Sequence, residues 1–375
     1  MKTILKILAV LVVLAAIALA VALSYEAPCP SGAAEPLAAG ASSMQAAVYR
    51  CYGPPETVVK IEQVEKPTPA DDEVLVKVRA AAVNPLDWHY LRGEPYIMRL
   101  GSGLGRPKDT RLGVDFAGTV ESVGKGVTRF KPGDEVFGGR NGALAEYVVV
   151  KESRNVTRKP ARLSFEQAGS VGVAAITALQ AVRDHGAVQP GQRVLINGAS
   201  GGVGTFAVQI AKALGAHVTG VCSTRNVALV SSLGADRVID YTRQDFTTGT
   251  ERYDVVVDTV ANRSFREVAR VLEPDGRYVI VGGPSDNRWL GALTTPLVAM
   301  LQSPFVQPKH KFFMAQLNPE DFAYLARLME EGKVTPVIDH TYPLAQAAEA
   351  IDYLEQGRAR GKVVVQVAPE PGATP

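Results

Sequence analysis

The sequence predicts an α/β protein of two domains behind one N-terminal transmembrane helix, and three observations predict it. An uncharged apolar run fills residues 7–23. Short Val-rich strand patterns, cut by Gly and Pro, then occupy the chain to about Val150. Beyond residue 193, strand-like and helix-like runs alternate, which specifies βαβ units and a doubly wound parallel sheet.

The bulk composition fits this. With 375 residues, 46% hydrophobic and 21% charged, the chain is long enough for about two globular domains. Forty basic and 38 acidic residues leave a net charge of +2, so no broad positive field awaits a nucleic acid. The three cysteines, Cys29, Cys51 and Cys222, contain no CxxC pair and argue against a disulfide framework or a cysteine-rich zinc site. The five histidines (His89, His185, His217, His310, His340) have no metal-ligand spacing.

Lys2 and Lys6 precede the apolar run, whose 17 residues span roughly 25 Å as a helix, close to a hydrocarbon core. Its length favours a retained anchor, while Ala20-Val21-Ala22 leaves a cleaved signal as the alternative. Residues 1–26 are thus anchor or signal, and 27–43 (APCPSGAAEPLAAGASS) read as a flexible tether, with the folded body from Met44. No Lys or Arg follows until Arg50, so the positive-inside rule puts the body outside the cytoplasm. A cytoplasmic cofactor pool argues the opposite, and the side of the membrane stays open.

Within the body, MQAAVYR, TVVKIEQV, EVLVKVRAAAV, FAGTVESVG and ALAEYVVV read as strands, separated by turns such as Lys131-Pro-Gly-Asp134. Ser164 and Gln167 form a capping box for a helix expected through Leu179. RVLIN, HVTGVC, RVID, YDVVVDTV and RYVIVGG are the strands of the alternating region, with helices ending at Gly215 and Gly234. Asn318-Pro319-Glu320-Asp321 opens a helix to about Glu331, and AQAAEAIDYLEQ and GKVVVQV supply a last helix and strand.

The stretch VLINGASGGVGTFAVQI (194–210) runs strand, glycine loop, helix, with another strand about 20 residues on. Glycines at 198, 201 and 204 permit a tight turn and close approach to a pyrophosphate at the helix N-terminus. The end of the second strand, Cys222-Ser-Thr-Arg-Asn226, carries no acid to hold a ribose diol. Ser223 and Arg225 suit a 2′-phosphate, so NADPH is expected over NADH. Asp258 is a rival ribose ligand, or a strand-end turn residue.

Seven stretches together carry a family resemblance: AAVNPLDW (81–88), RLGVDFAGTVESVGKGV (111–127), FKPGDEVFG (130–138), GALAEYVVV (142–150), LINGASGGVGTFAVQIAKALGA (195–216), LGADRVIDY (233–241) and RGKVVVQV (360–367). The chain resembles the medium-chain dehydrogenase/reductase superfamily, in its zinc-independent quinone oxidoreductase-like and NAD(P)-dependent alcohol dehydrogenase branch. The resemblance implies a GroES-like β-rich substrate domain (44–172, with a return at 318–375) around a Rossmann domain (173–317), and a homodimer. It implies cofactor contacts from Ser200, Gly201, Gly202, Val203 and Gly204 at the pyrophosphate, and from Ser223 and Arg225 at the 2′-phosphate. Tyr241 would lie near the adenine, Thr259 and Val260 near the nicotinamide, with Gly282, Gly283, Gly361 and Lys362 completing the cleft.

Zinc-dependent relatives carry ligands where this chain has Asn84 and Val114, so no catalytic metal is expected. Without zinc to polarise a carbonyl, the expected acceptors are quinones and α,β-unsaturated carbonyls, already conjugated. The catalytic candidates are Asn84, as an amide donor to the developing oxyanion or as a satisfied backbone partner, and His89, as a general acid or a structural histidine. Tyr90 is a neighbour of both. The apolar segment 289–306 reads as helices lining the cleft, or as a membrane-facing entrance. An alcohol or aldehyde oxidoreductase, and a non-catalytic tethered dinucleotide sensor, remain the alternative functions.

Overall fold

The computed structural model describes residues 1–31, 37, 38, 40–283, 287–291, 294 and 309–368. Helix α1 (Lys2–Ser24) is exposed along its length and buries only Leu23. A hairpin of β1 (Ser43–Val48) and β2 (Lys60–Glu65) follows, then the long β3 (Glu73–Val83). After β3 come α2 (Pro85–Arg92) and the single turn α3 (Arg99–Ser102). The strands β4 (Asp115–Val123), β5 (Glu135–Gly139), β6 (Tyr147–Lys151) and β7 (Val156–Arg158) complete the first part.

Helix α4 (Gly172–Leu179) leads into the second part: β8 (Arg193–Asn197), α5 (Gly202–Ala213), β9 (His217–Cys222), α6 (Val227–Ser232), β10 (Arg237–Asp240), β11 (Tyr253–Asp258), β12 (Leu272–Ile280) and β13 (Lys309–Phe312). The chain ends with α7 (Pro319–Glu330), β14 (Ile338–Pro343), α8 (Ala347–Glu355) and β15 (Lys362–Gln366).

Among the described residues, the six strands of the second part are all parallel, in the order β10-β9-β8-β11-β12-β13. Taken from β8, this is 3-2-1-4-5-6, the dinucleotide-binding order, whose switch point lies at β8. Val194, Leu195 and Ile196 are fully buried because helices cover both sheet faces. The other sheet runs β14-β15-β3-β4-β5-β7, with β6 also on β3. Its final strand β15 pairs antiparallel with β3, Val363 opposite Val83, so the C-terminus returns to the first part and closes the cleft between the two.

Three expectations are revised. The helix opened by the Ser164–Gln167 capping box spans only Phe165–Gly169, and α4 begins anew at Gly172. The break lets the Val173 N–H donate to Asp115 Oδ1 at 2.7 Å, and a Cβ on residue 172 would sit 2.2 Å from that same oxygen. Cys29 and Cys51 are joined in a disulfide. Residues 23–29, partly assigned to a flexible tether, are bound to the first part: the Ala27 N–H donates to the Gly105 carbonyl at 3.0 Å, and Arg99 holds the carbonyls of Leu23 and Tyr25. Segment 289–306 is described only at Trp289, Leu290, Gly291 and Thr294; the remainder of that reading lies outside the described residues.

Candidate functional site

At the switch point, the β8–α5 loop turns where the sequence places its glycines. Gly198 has φ +82°, which disfavours any side chain. A Cβ at Gly204 would lie 2.1 Å from the Gly198 carbonyl, so the third glycine lets α5 pack on the loop. The loop and Asn197, Cys222, Ser223, Arg225, Tyr241, Thr259 and Val260 line a cavity of about 370 Å³. The predicted Ser200, Gly201, Ser223, Arg225, Tyr241, Thr259 and Val260 are thus brought together. Gly202, Val203 and Gly204 form the first turn of α5 behind them. Gly282 packs against the Thr259 backbone, where a Cβ would lie 2.7 Å from that carbonyl, with Gly283 after it.

The first part reaches this loop from across the cleft. Gly361, at φ +95°, donates its N–H to the Ser200 carbonyl at 2.9 Å and bridges Gly201. Sequence reasoning missed two further residues. Asn226 is buried and donates from Nδ2 to Ser200 Oγ at 2.9 Å, while its Oδ1 has no hydrogen-bond partner among the described residues. Arg358 lines the cavity beside Arg225, whose guanidinium donates to the Arg358 carbonyl at 2.8 Å. Asp258 is fully buried and accepts from Asn197 Nδ2, Tyr278 Oη and the Val260 and Ala261 N–H groups. Four donors leave it fixed as a strand-end turn residue.

A glycine turn that side chains would crowd, the N-terminus of α5 and a strand end carrying Arg225 together fit a nicotinamide dinucleotide.

Under the cleft floor lies a buried polar knot. Lys362 Nζ donates to Asn84 Oδ1 at 2.6 Å, to the Val83 carbonyl at 3.3 Å and to Asp115 Oδ2 at 3.3 Å. Asn84 Nδ2 donates to Asp115 Oδ2 at 3.0 Å. Both ends of the Asn84 amide are therefore occupied, and this residue is 2% exposed. The same holds for Lys362: its ammonium points into the floor, and only its stem backs Gly202, 3.4 Å from where a Cβ would stand.

A second cavity, of about 650 Å³, is lined by Tyr49, Leu86, Tyr90, Met98, Arg111 and Val114, among others. Leu86, Asp87 and Tyr90 lie on one face of α2, and the helical period carries His89 roughly 100° round from the middle of that face. His89 is not among the lining residues. Its ring lies over Trp88 with centroids 3.6 Å apart, Nδ1 sits 2.7 Å from the Glu94 carbonyl, and burial holds its pKa below the usual histidine range. Asp87, whose carboxylate accepts from the N–H groups of Asn84 (2.7 Å) and Gly113 (2.9 Å), has its pKa pushed up to about 6 by burial. Arg111 was quoted in the sequence but given no role. Its Nε is buried in this lining with no hydrogen-bond partner among the described residues, and burial lowers its pKa. Val114, which also lines this cavity, offers no side-chain donor atom. Among the described residues, no group of three or more His, Cys, Asp and Glu could hold a metal ion.

Two family models match the chain: an alcohol dehydrogenase GroES-like domain over residues 70–161 and a zinc-binding dehydrogenase over 233–365. A chloroplastic quinone-oxidoreductase homolog of Spinacia oleracea is 34% identical over 87% of this chain and 99% of its own. A 2-methylene-furan-3-one reductase of Solanum lycopersicum is 34% identical over 88% of this chain and 80% of its own. The quinone oxidoreductase of Coxiella burnetii superposes with a TM-score of 0.73 at 30% identity, covering 87% of this chain and 100% of that one. With a glycine-loop cavity at the switch point and near-full-length relatives, the chain belongs to the medium-chain dehydrogenase/reductase superfamily of oxidoreductases, in its quinone oxidoreductase-like branch.

Proposed function

We propose that the protein is an NADPH-dependent, zinc-independent reductase of quinones or α,β-unsaturated carbonyls, anchored to a membrane by α1. The observation that carries the cofactor choice is the corner at the end of β9, where Ser223, Arg225 and Arg358 line the cavity beside the phosphate loop and no acid follows the strand in sequence to hold a ribose diol; Asp245, which also lines the cavity, is paired with Arg263. An NADP(H) 2′-phosphate placed there would gain charge-assisted hydrogen bonds, each roughly twice as strong as neutral ones. The similarity to a quinone oxidoreductase and to a 2-methylene-furan-3-one reductase supports the acceptor class.

When bound, NADPH supplies a hydride. The chain's own residues do the rest. Ser200 and the first turn of α5 would offer N–H groups to the pyrophosphate, while the Gly201 N–H closes the turn onto the Gly198 carbonyl and Gly361 holds the loop from the opposite side. In the acceptor cavity, Arg111 Nε–H is a donor without a partner, suited to a carbonyl oxygen as it gains charge. The Tyr90 hydroxyl, on the same cavity wall, is the candidate proton donor in place of His89. Asn84 positions Lys362 and Asp115 rather than meeting the acceptor. The Cys29–Cys51 disulfide and the lysines at the start of α1 both support a body on the non-cytoplasmic side.

The test is NADPH and NADH oxidation by the full chain in detergent, with a short quinone and a short enone as acceptors and a chelator present. Chelator-resistant turnover with NADPH preferred is expected. Arg225→Gln should raise the NADPH KM by roughly 10–100-fold, the worth of a hydrogen bond to a charged group, and leave the NADH KM alone. Equal use of the two nucleotides would remove the 2′-phosphate assignment. Chelator-sensitive oxidation of saturated alcohols would favour the zinc-type alternative.

A further inference from the structure

We propose that the base of α1, with Tyr25, Leu100, Leu104 and Trp289, is a bilayer-contact surface that sets the acceptor cavity against the membrane. The enzyme would then take an acceptor dissolved in the lipid phase, a quinone or enone with a long apolar tail. This rests on the reading of the chain as a reductase of conjugated carbonyls.

The attachment of α1 is not a tether. Arg99 is completely buried, and its guanidinium spends its donors on the anchor and its seat: the carbonyls of Leu23 (3.0 Å), Tyr25 (3.2 Å), Gly93 (2.8 Å) and Arg92 (3.1 Å), and the Glu26 carboxylate (2.8 Å). Tyr52 and Tyr96 cover it, with ring centroids 4.4 and 4.6 Å away. The Leu23 carbonyl lies in the last turn of α1, where a helix leaves acceptors unpaired. Immediately beyond, Glu26 bridges Gly105 and the disulfide joins Cys29 to Cys51. Three attachments within seven residues (23–29) fix the direction in which the helix leaves the body.

That helix needs an apolar surrounding. Its 18-residue window has a mean hydropathy of 3.0 and is 6% buried, so the protein itself does not cover it. The surface at its exit continues the same character: Tyr25 is 57% exposed, Leu100 52%, Leu104 55% and Trp289 44%. Tyr and Trp at the exit and leucines beside them are what an interfacial zone accommodates. Trp289 packs edge-on against Tyr96, which itself covers Arg99, so this patch is continuous with the anchor's seat.

The same short segment forms the wall of the acceptor cavity. Met98, Gly101 and Ser102 line it, while Arg99 between them grips the anchor and Leu100 stands exposed. One turn of helix therefore faces the anchor on one side and the acceptor on another. A lipid surface, continuous with the span, is the occupant to which this geometry commits.

The experiment uses the full chain reconstituted in phosphatidylcholine vesicles containing a benzoquinone with a long isoprenoid tail, against a short water-soluble benzoquinone. L100E/L104E, at two exposed positions, should cut NADPH oxidation by the tailed quinone at least tenfold and leave the short-quinone rate unchanged. Independently of turnover, nitroxide lipids labelled near the headgroup should quench the Trp289 component of the emission, identified by Trp289→Phe. Unchanged tailed-quinone turnover in L100E/L104E, or an unquenched Trp289, overturns the proposal. Wild type that oxidises NADPH with neither acceptor refutes the reductase reading and the lipid substrate together, whereas the quenching still decides the docking.

Discussion

Replacing Lys362 by Met removes the only cation of the knot beneath the cleft and keeps most of its stem. Lys362 and Asp115 are 3% and 0% exposed, 3.3 Å apart, and Asn84 bridges them. Breaking a buried ion pair on one side costs about 3–5 kcal/mol, because a buried charge is left uncompensated. Asp115 would keep the Asn84 amide at 3.0 Å and the Val173 N–H at 2.7 Å, which places the expected cost at the lower end, ~3 kcal/mol. For a domain of this size, about 2–4 °C per kcal/mol translates that into a fall in Tm of roughly 6–12 °C. The assay is thermal unfolding of Lys362→Met, Asp115→Asn and the double variant. Asp115→Asn removes the orphaned charge, so the double variant should lose no more than the worse single variant. Strict additivity, or a Tm shift in Lys362→Met below about 2 °C, would refute the coupling inferred from the geometry.

Three further outcomes follow from the same geometry. Burial raises the Asp87 carboxyl from 3.8 to about 6, so the folded protein holds that proton more tightly than the unfolded chain. The cost is absent below pH 4 and complete above pH 6, ~3 kcal/mol in all, and wild-type stability should fall relative to Asp87→Asn across that window in urea melts; parallel curves would dismiss it. Tyr90→Phe should lower kcat by about 10²-fold or more with the NADPH KM unchanged, while His89→Gln leaves kcat nearly intact; the reverse pattern would restore His89 as the acid. In intact membranes, Cys29 and Cys51 should react with a maleimide reagent only after reduction and unfolding, and Cys51→Ser should destabilise the first part by ~3 kcal/mol. Free thiols at both positions in freshly isolated membranes would place the body in a reducing compartment.

Most of what depends on local periodicity and turn chemistry was determined by the sequence by itself; the helix opened at Ser164 is an exception, because Val173, just past its break after Gly169, is held by Asp115, far away in the sequence. The period-2 runs became β3, β4 and β6, the alternating runs became the parallel sheet, and Gly198 and Gly204 turned the phosphate loop because neither position leaves room for a Cβ and Gly198 takes a positive φ. Ser223 and Arg225 were legible for a similar reason, since they follow β9 by sequence spacing alone.

Only the tertiary structure decided which polar groups are free and which are spent. Asn84 appears in the sequence as an available amide, yet its partners are Asp115, 31 residues away, and Lys362, 278 residues away. Tyr90 rather than His89 lines the second cavity, and that depends on which face of α2 the rest of the fold packs against it. Arg99 carries no motif at all: its role exists because the chain brings the carbonyls of Leu23 and Tyr25, 76 and 74 residues away, within its reach. A hydrogen-bond donor has the same chemistry wherever it stands in the sequence, but folding decides whether a protein acceptor or a ligand receives it.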